Sequence, residues 1–156
     1  MEKKVTIRNA VPSDLKYIVE LDATVWEDPS VPDGSHVWRL WLDYALVLVA
    51  VSEEEVIGAT LVFPSLTLYG NNTYLLHKMF VKKDRRGEGI GKWLLFDVQK
   101  QFKTIVGHKR SELLLTVNPW NTTAKNLYAK FGFKEMCLKP DYYGPGKDRI
   151  FMSFEF

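Results

Sequence analysis

The chemistry in this sequence concentrates in Arg86-Gly87-Glu88-Gly89-Ile90-Gly91-Lys92, where three glycines open an amphipathic stretch beside basic side chains. Glycine has no Cβ, so the backbone can curl until successive N–H groups face one concavity. A helix beginning at the same point adds unpaired N–H groups and the positive end of its dipole. That combination binds phosphate. Spacing excludes two common phosphate loops. In a Walker A loop a glycine would occupy the place of Arg86, and Ser or Thr would follow Lys92 where Trp93 stands. The dinucleotide fingerprint fails because Lys92 stands where its third glycine belongs. Lys82, Lys83, Arg85 and Arg86 form a basic rim to the turn.

Such a loop must hang between a strand and a helix, and the flanking residues supply both. Residues 73–81 read as an apolar strand. After the turn, Leu94, Leu95, Val98, Phe102 and Ile105 form a core-facing helical stripe opposite Lys92, Asp97, Lys100 and Lys103. Upstream, 5–8 reads as a strand, and Pro12-Ser13-Asp14 starts a helix reaching about residue 26. Leu15, Ile18, Val19, Val25 and Trp26 share its apolar face, with Asp22 the exception at the same spacing. Two prolines and a glycine in 28–34 break the chain before a short helix capped by Ser35. Strands over 45–51 and 56–66 form a hairpin around Ser52-Glu53-Glu54-Glu55, with Gly58 marking a bulge. Downstream come a strand over 113–117, a helix over 122–131 stopped by Gly132, a strand over 133–138, a polar loop and a closing strand over 150–156. Ile150, Met152, Phe154 and Phe156 are its predicted buried face. Cys137 reads as a small core residue.

At 156 residues the chain fits one domain, 1–156, able to bury a core without staples. Hydrophobic residues make up 46% and charged ones 26%, an ordinary globular balance. A net charge of +2 is too small to argue for nucleic acid. The longest apolar run, 45–51, is far short of the roughly 20 residues of a membrane span, so no membrane partner is expected. One cysteine and no secretory signal point to a reducing cytoplasm. The sequence leaves room for a homodimer.

The Arg-x-x-Gly-x-Gly pattern at Arg86–Gly91 resembles the acyl-CoA loop of the GNAT acetyltransferase superfamily. A second stretch, Asn121-Thr-Thr-Ala124-Lys-Asn-Leu127-Tyr128-Ala-Lys-Phe131-Gly132-Phe133, is similar to that family's Asn-x-x-Ala-x-x-x-Tyr-x-x-x-Gly-Phe. The order of predicted elements also matches, so the resemblance covers nearly the whole chain. It implies an α/β (α+β) single-domain fold with a mixed, mostly antiparallel, splayed sheet flanked by helices. It implies acetyl-CoA as co-substrate and no metal. By resemblance, Met79, Phe80 and Val81 offer backbone groups to the pantetheine arm and the acetyl carbonyl, and Arg86, Gly87, Glu88, Gly89, Ile90, Gly91 and Lys92 cradle the pyrophosphate. Asn121, Ala124 and Tyr128 complete the cofactor side, with Tyr128 protonating the departing thiolate.

A lysine-like amine, pKa ~10.4, is almost wholly protonated at pH 7, and freeing it costs about 4 to 5 kcal/mol. His77 has a suitable intrinsic pKa for the base, and Glu27 is the second candidate. Tyr142 and Tyr143 resemble the tyrosine pair that some protein N-terminal acetyltransferases of the superfamily place beside the substrate peptide. They and Glu27 are the expected acceptor side. Members of the bacterial ribosomal-protein type tend to carry a glutamate in the fifth strand, where this chain has Thr116. The expected activity is transfer of an acetyl group to a primary amine by direct attack in a ternary complex, the acceptor being a protein N-terminus or a small amine such as a polyamine. The alternative is a non-catalytic acyl-CoA-binding sensor.

Overall fold

The computed structural model describes residues 4–26, 35–65, 72–107 and 109–156. Its strands are β1 (Val5–Asn9), β2 (Leu46–Ser52), β3 (Glu55–Pro64), β4 (Thr73–Val81), β5 (Glu112–Val117), β6 (Lys134–Lys139) and β7 (Arg149–Glu155). Its helices are α1 (Leu15–Trp26), α2 (Ser35–Tyr44), α3 (Ile90–Val106) and α4 (Thr122–Lys130). The strands follow the order β1-β2-β3-β4-β5-β7-β6. β4 and β5 pair in parallel, whereas β1–β2, β2–β3, β5–β7 and β6–β7 are antiparallel. This is the mixed, mostly antiparallel sheet with flanking helices expected from the sequence. The chain packs as two compact units, residues 1–63 with 78–101 and residues 64–77 with 102–156.

In the first unit, β2 and β3 are buried almost throughout, so their residues alternate between two covered faces. Val47, Val49, Ala59 and Leu61 pack with Ile18 and Leu21 of α1, Trp38 of α2 and Phe80 of β4. Gly58 faces α3 instead. A Cβ there would lie 3.0 Å from the Phe80 carbonyl oxygen and 3.4 Å from Leu94, so glycine lets strand, strand and helix close together. The expected bulge is also present: Ala50 pairs Gly58 and Val51 pairs Val56, which leaves Ile57 as the extra residue. Arg8 anchors the start of α1 with two hydrogen bonds to Asp14, at 2.7 and 2.9 Å, and Asp14 also accepts the Val11 N–H. The helical stripe on α3 holds for Leu94, Leu95, Val98 and Phe102. Ile105 corrects it. That side chain is 58% exposed, and Val106, one turn beyond Phe102, takes the buried place in the last turn.

The second unit is organised by aromatic rings. Tyr74, Phe102, Phe156, Phe154, Phe133 and Tyr128 form a continuous series with centroids 4.5 to 5.7 Å apart. Leu113, Leu114 and Leu115 of β5 are all buried. β7 departs from the expected alternation, because Ile150, Phe151 and Met152 are buried in succession and its first half is covered on both faces. β6 ends the sheet order, and all but its last residue is exposed. Cys137 is therefore not a core residue; it sits exposed on an edge strand.

Candidate functional site

The glycine-rich loop belongs to the first unit. Gly87 and Gly89 have φ of +87° and +83°, a left-handed conformation that side chains rarely adopt. A Cβ on Gly87 would meet nothing within 4 Å, and one on Gly89 would meet only the Trp93 ring at 4.0 Å. The space over the loop is open. Gly91 is not part of the curl, since α3 begins at Ile90 and the Trp93 N–H already bonds the Gly89 carbonyl at 3.1 Å. The N–H groups of the first turn ahead of Trp93 have no intrahelical acceptor, which is the donor set a phosphate needs.

The side chains around this turn divide by task. The Arg85 guanidinium makes two hydrogen bonds to Glu88, at 2.7 and 2.8 Å, which raise its pKa and hold the one acidic side chain of the motif against a cation. Arg86 donates through Nε to the Val81 carbonyl at 3.1 Å, fastening the loop to the end of β4. Ile90 is buried against the Gly58 position, so only its backbone can serve a ligand. Arg86 and Lys92 are exposed cations.

β4 offers backbone, not side chains. The Lys82 N–H donates to the Ile57 carbonyl at 2.8 Å, and the Lys78 carbonyl accepts the Thr60 hydroxyl at 3.0 Å. From Lys78 to Lys82, even-numbered residues thus turn their backbone groups toward β3, whereas at the start of the strand it is the Thr73 carbonyl that accepts the Ser65 N–H, at 2.8 Å. Alternation sends the N–H and C=O of Met79 and Val81 to the opposite edge. The Phe80 side chain is in the core.

The second unit carries the other expected residues. Asn121 caps α4, its side-chain oxygen accepting the Ala124 N–H at 3.1 Å, so the carboxamide NH2 is what it can offer a ligand. The α4 C-terminus is closed in the Schellman pattern: the Gly132 N–H bonds the Ala129 carbonyl, and the Phe133 N–H bonds the Tyr128 carbonyl at 3.1 Å. Gly132 has φ +88°, and a Cβ there would meet the Phe154 ring at 3.0 Å. The Tyr-x-x-x-Gly-Phe spacing is therefore a device that fixes Tyr128. Tyr128 is 7% exposed, and burial pushes its pKa up to about 12. His77 is exposed on β4. Tyr142 and Tyr143 form an edge-to-face pair at 4.8 Å, with Tyr142 also seated on buried Phe151 at 5.1 Å. They are 41% and 50% exposed, more than core caps would be. Lys139 and Arg149 lie over the Phe151 and Tyr143 rings at 4.5 and 4.8 Å. The loop is braced by Asp141, which accepts the Gly146 N–H through its side chain and the Gly144 N–H through its carbonyl. Glu27 lies outside the described residues.

In the sequence, Asp22 stands only as an exception on an apolar helix face. The structure buries it, 6% exposed, with Trp38 Nε1 and Lys78 Nζ both donating to its Oδ2. An acid at a core-facing spacing is the signal that marks such a cluster. Two tryptophans, Trp93 beside the loop and Trp120 before α4, are exposed, which spacing alone does not foretell.

A family model described as the acetyltransferase (GNAT) domain matches residues 43–135, more than half of the chain. An N-alpha-acetyltransferase of Sulfurisphaera tokodaii is 29% identical over 160 residues, covering 97% of this chain and 93% of that protein. Among solved structures, the ribosomal-protein-alanine N-acetyltransferase of Brucella melitensis superposes with a TM-score of 0.79 at 24% identity, over 97% of this chain and 99% of that one. yncA of Salmonella typhimurium, solved with its cofactor acetyl-CoA, gives a TM-score of 0.81 at 19% identity, over 97% of this chain and 94% of that one.

Proposed function

The chain belongs to the GNAT acetyltransferase family, and on that premise we propose that it transfers the acetyl group of acetyl-CoA to the α-amine of a protein N-terminus. The observation that carries the cofactor half is the open, left-handed Gly87–Gly89 turn at the start of a 17-residue helix, with Arg86 and Lys92 beside it. First-turn N–H groups and the two cations hold the pyrophosphate. The outward N–H groups at Met79 and Val81 receive the thioester carbonyl and stabilise the oxyanion of direct attack.

Proton chemistry favours an α-amine over a lysine-like one. An α-amino group titrates near ~7.7–8.0, so freeing it at pH 7 costs about 1 kcal/mol instead of 4 to 5. An exposed histidine such as His77, or water, meets that demand. The similarity to an N-alpha-acetyltransferase supports the same acceptor class. Tyr128 serves the leaving group. With its pKa near 12 and a CoA-type thiol near ~8.5, full proton transfer to the thiolate is uphill by about 5 kcal/mol. Tyr128 therefore acts as a hydrogen-bond donor to the departing sulfur, and the final proton comes from solvent.

A matched pair of variants tests the anion site. Gly89→Asn and Gly89→Asp impose the same backbone strain, on the order of 1 kcal/mol, but only aspartate adds a negative charge. Calorimetry should show acetyl-CoA binding about tenfold weaker in the aspartate variant than in the asparagine one, ~1.4 kcal/mol. Equal affinity in two natively folded variants would remove the loop from the site.

A further inference from the structure

Three elements of the first unit converge on one carboxylate oxygen. Asp22 Oδ2 on α1 accepts Trp38 Nε1 from α2 at 2.8 Å and Lys78 Nζ from β4 at 2.5 Å. The Lys78 ammonium lies 5.6 Å from the Trp38 ring centroid and 5.8 Å from that of Trp41, which meets Trp38 edge-to-face at 5.1 Å. The other oxygen of Asp22, Oδ1, is buried and has no hydrogen-bond partner.

Stability is a poor reason for this arrangement. Burying two charges carries a desolvation penalty that their attraction repays only when every remaining lone pair is satisfied, and here one is not. Apolar side chains of similar volume would fill such a corner at lower cost. What the cluster does provide is register. Lys78 immediately precedes Met79, and its own carbonyl is fixed by buried Thr60. Asp22 sits in the last turn and a half of α1 and Trp38 in the first turn of α2.

We infer that Asp22, Lys78 and Trp38 form a positioning cluster that sets α1 and α2 against β4, so that the acceptor amine meets the acyl group in register without the cluster contributing to acetyl-CoA affinity. This deepens the acetyl-transfer reading and rests on it for the kinetic consequence. The structural part stands alone: apolar packing joins the two helices to the sheet, and the ion pair sets their register against the strand.

The test compares Asp22→Leu/Lys78→Met, Lys78→Met and Lys78→Arg with the parent in the full chain. The double variant should melt no lower than the parent and bind acetyl-CoA within about twofold of it, while acceptor kcat/KM falls by about tenfold. Lys78→Arg keeps the charge and should recover most of that loss. Amide hydrogen exchange of Leu15–Trp26 and Ser35–Tyr44 should quicken in the double variant at unchanged melting temperature. A folded double variant with parental exchange and parental acceptor kinetics would overturn the inference. A parent that acetylates no amine would instead overturn the proposed function, leaving the exchange measurement to decide the cluster's role.

Discussion

At the scale of single residues, Tyr128 carries the most specific expectation. Tyr128→Phe keeps the ring that packs on Phe133 and removes only the hydroxyl. Loss of this one donor to the developing thiolate should lower the turnover number by about 10²-fold with acetyl-CoA affinity retained. The same variant has a signature in stability. A phenol whose pKa rises from 10.0 to about 12 binds its proton more tightly when folded. Its contribution is fully present below pH 10 and is lost as pH climbs through the folded value, an alkaline loss of about 3 kcal/mol. Denaturant titrations from pH 9 to 12 should show a shallower decline for Tyr128→Phe than for the parent. Parallel declines would mean that the hydroxyl is not held in a desolvated place, and unchanged turnover would make it incidental to the reaction.

At the scale of elements, the end of α4 and the loop after β6 decide whether the rings proposed for the site are positioned or merely present. Gly132→Ala forces a Cβ into a left-handed residue and onto the Phe154 ring at 3.0 Å. It should cost more than about 1 kcal/mol and, by loosening the Schellman closure on the Tyr128 carbonyl, lower the turnover number of the folded fraction. Loss of stability with parental turnover would confine Gly132 to folding. In the loop, Tyr142 and Tyr143 are about half exposed, and only Tyr142 rests on the buried Phe151. Replacing both with alanine should raise the Michaelis constant for the acceptor while leaving acetyl-CoA affinity nearly untouched. If the melting temperature drops and acceptor kinetics hold, these rings cap the core.

At the scale of the whole molecule, what was legible in the sequence followed from local chemistry, and what was not depended on tertiary surroundings. The turn at Gly87 and Gly89 and the stop at Gly132 announce a left-handed backbone, and Gly58 a close approach of chains, and each is found. Cys137 reads as core from sequence because a short strand looks the same at the centre of a sheet as at its edge, and β6 is the edge. Ile105 reads as core-facing because helical spacing gives a face but not where the covering core ends. Asp22 stood out as an exception, yet its partner Lys78 lies far off in sequence and no periodicity links them. The central claim, acetyl transfer to a protein N-terminus, is tested most directly by incubating the full chain with acetyl-CoA and a panel of peptides and small amines, scoring thiol release and product mass together. Thiol release should be matched one for one by acetylation at the peptide α-amine, faster than for lysine side chains or polyamines. Saturable acetyl-CoA binding with no acetylated amine in any arm would contradict it and leave an acyl-CoA-binding sensor.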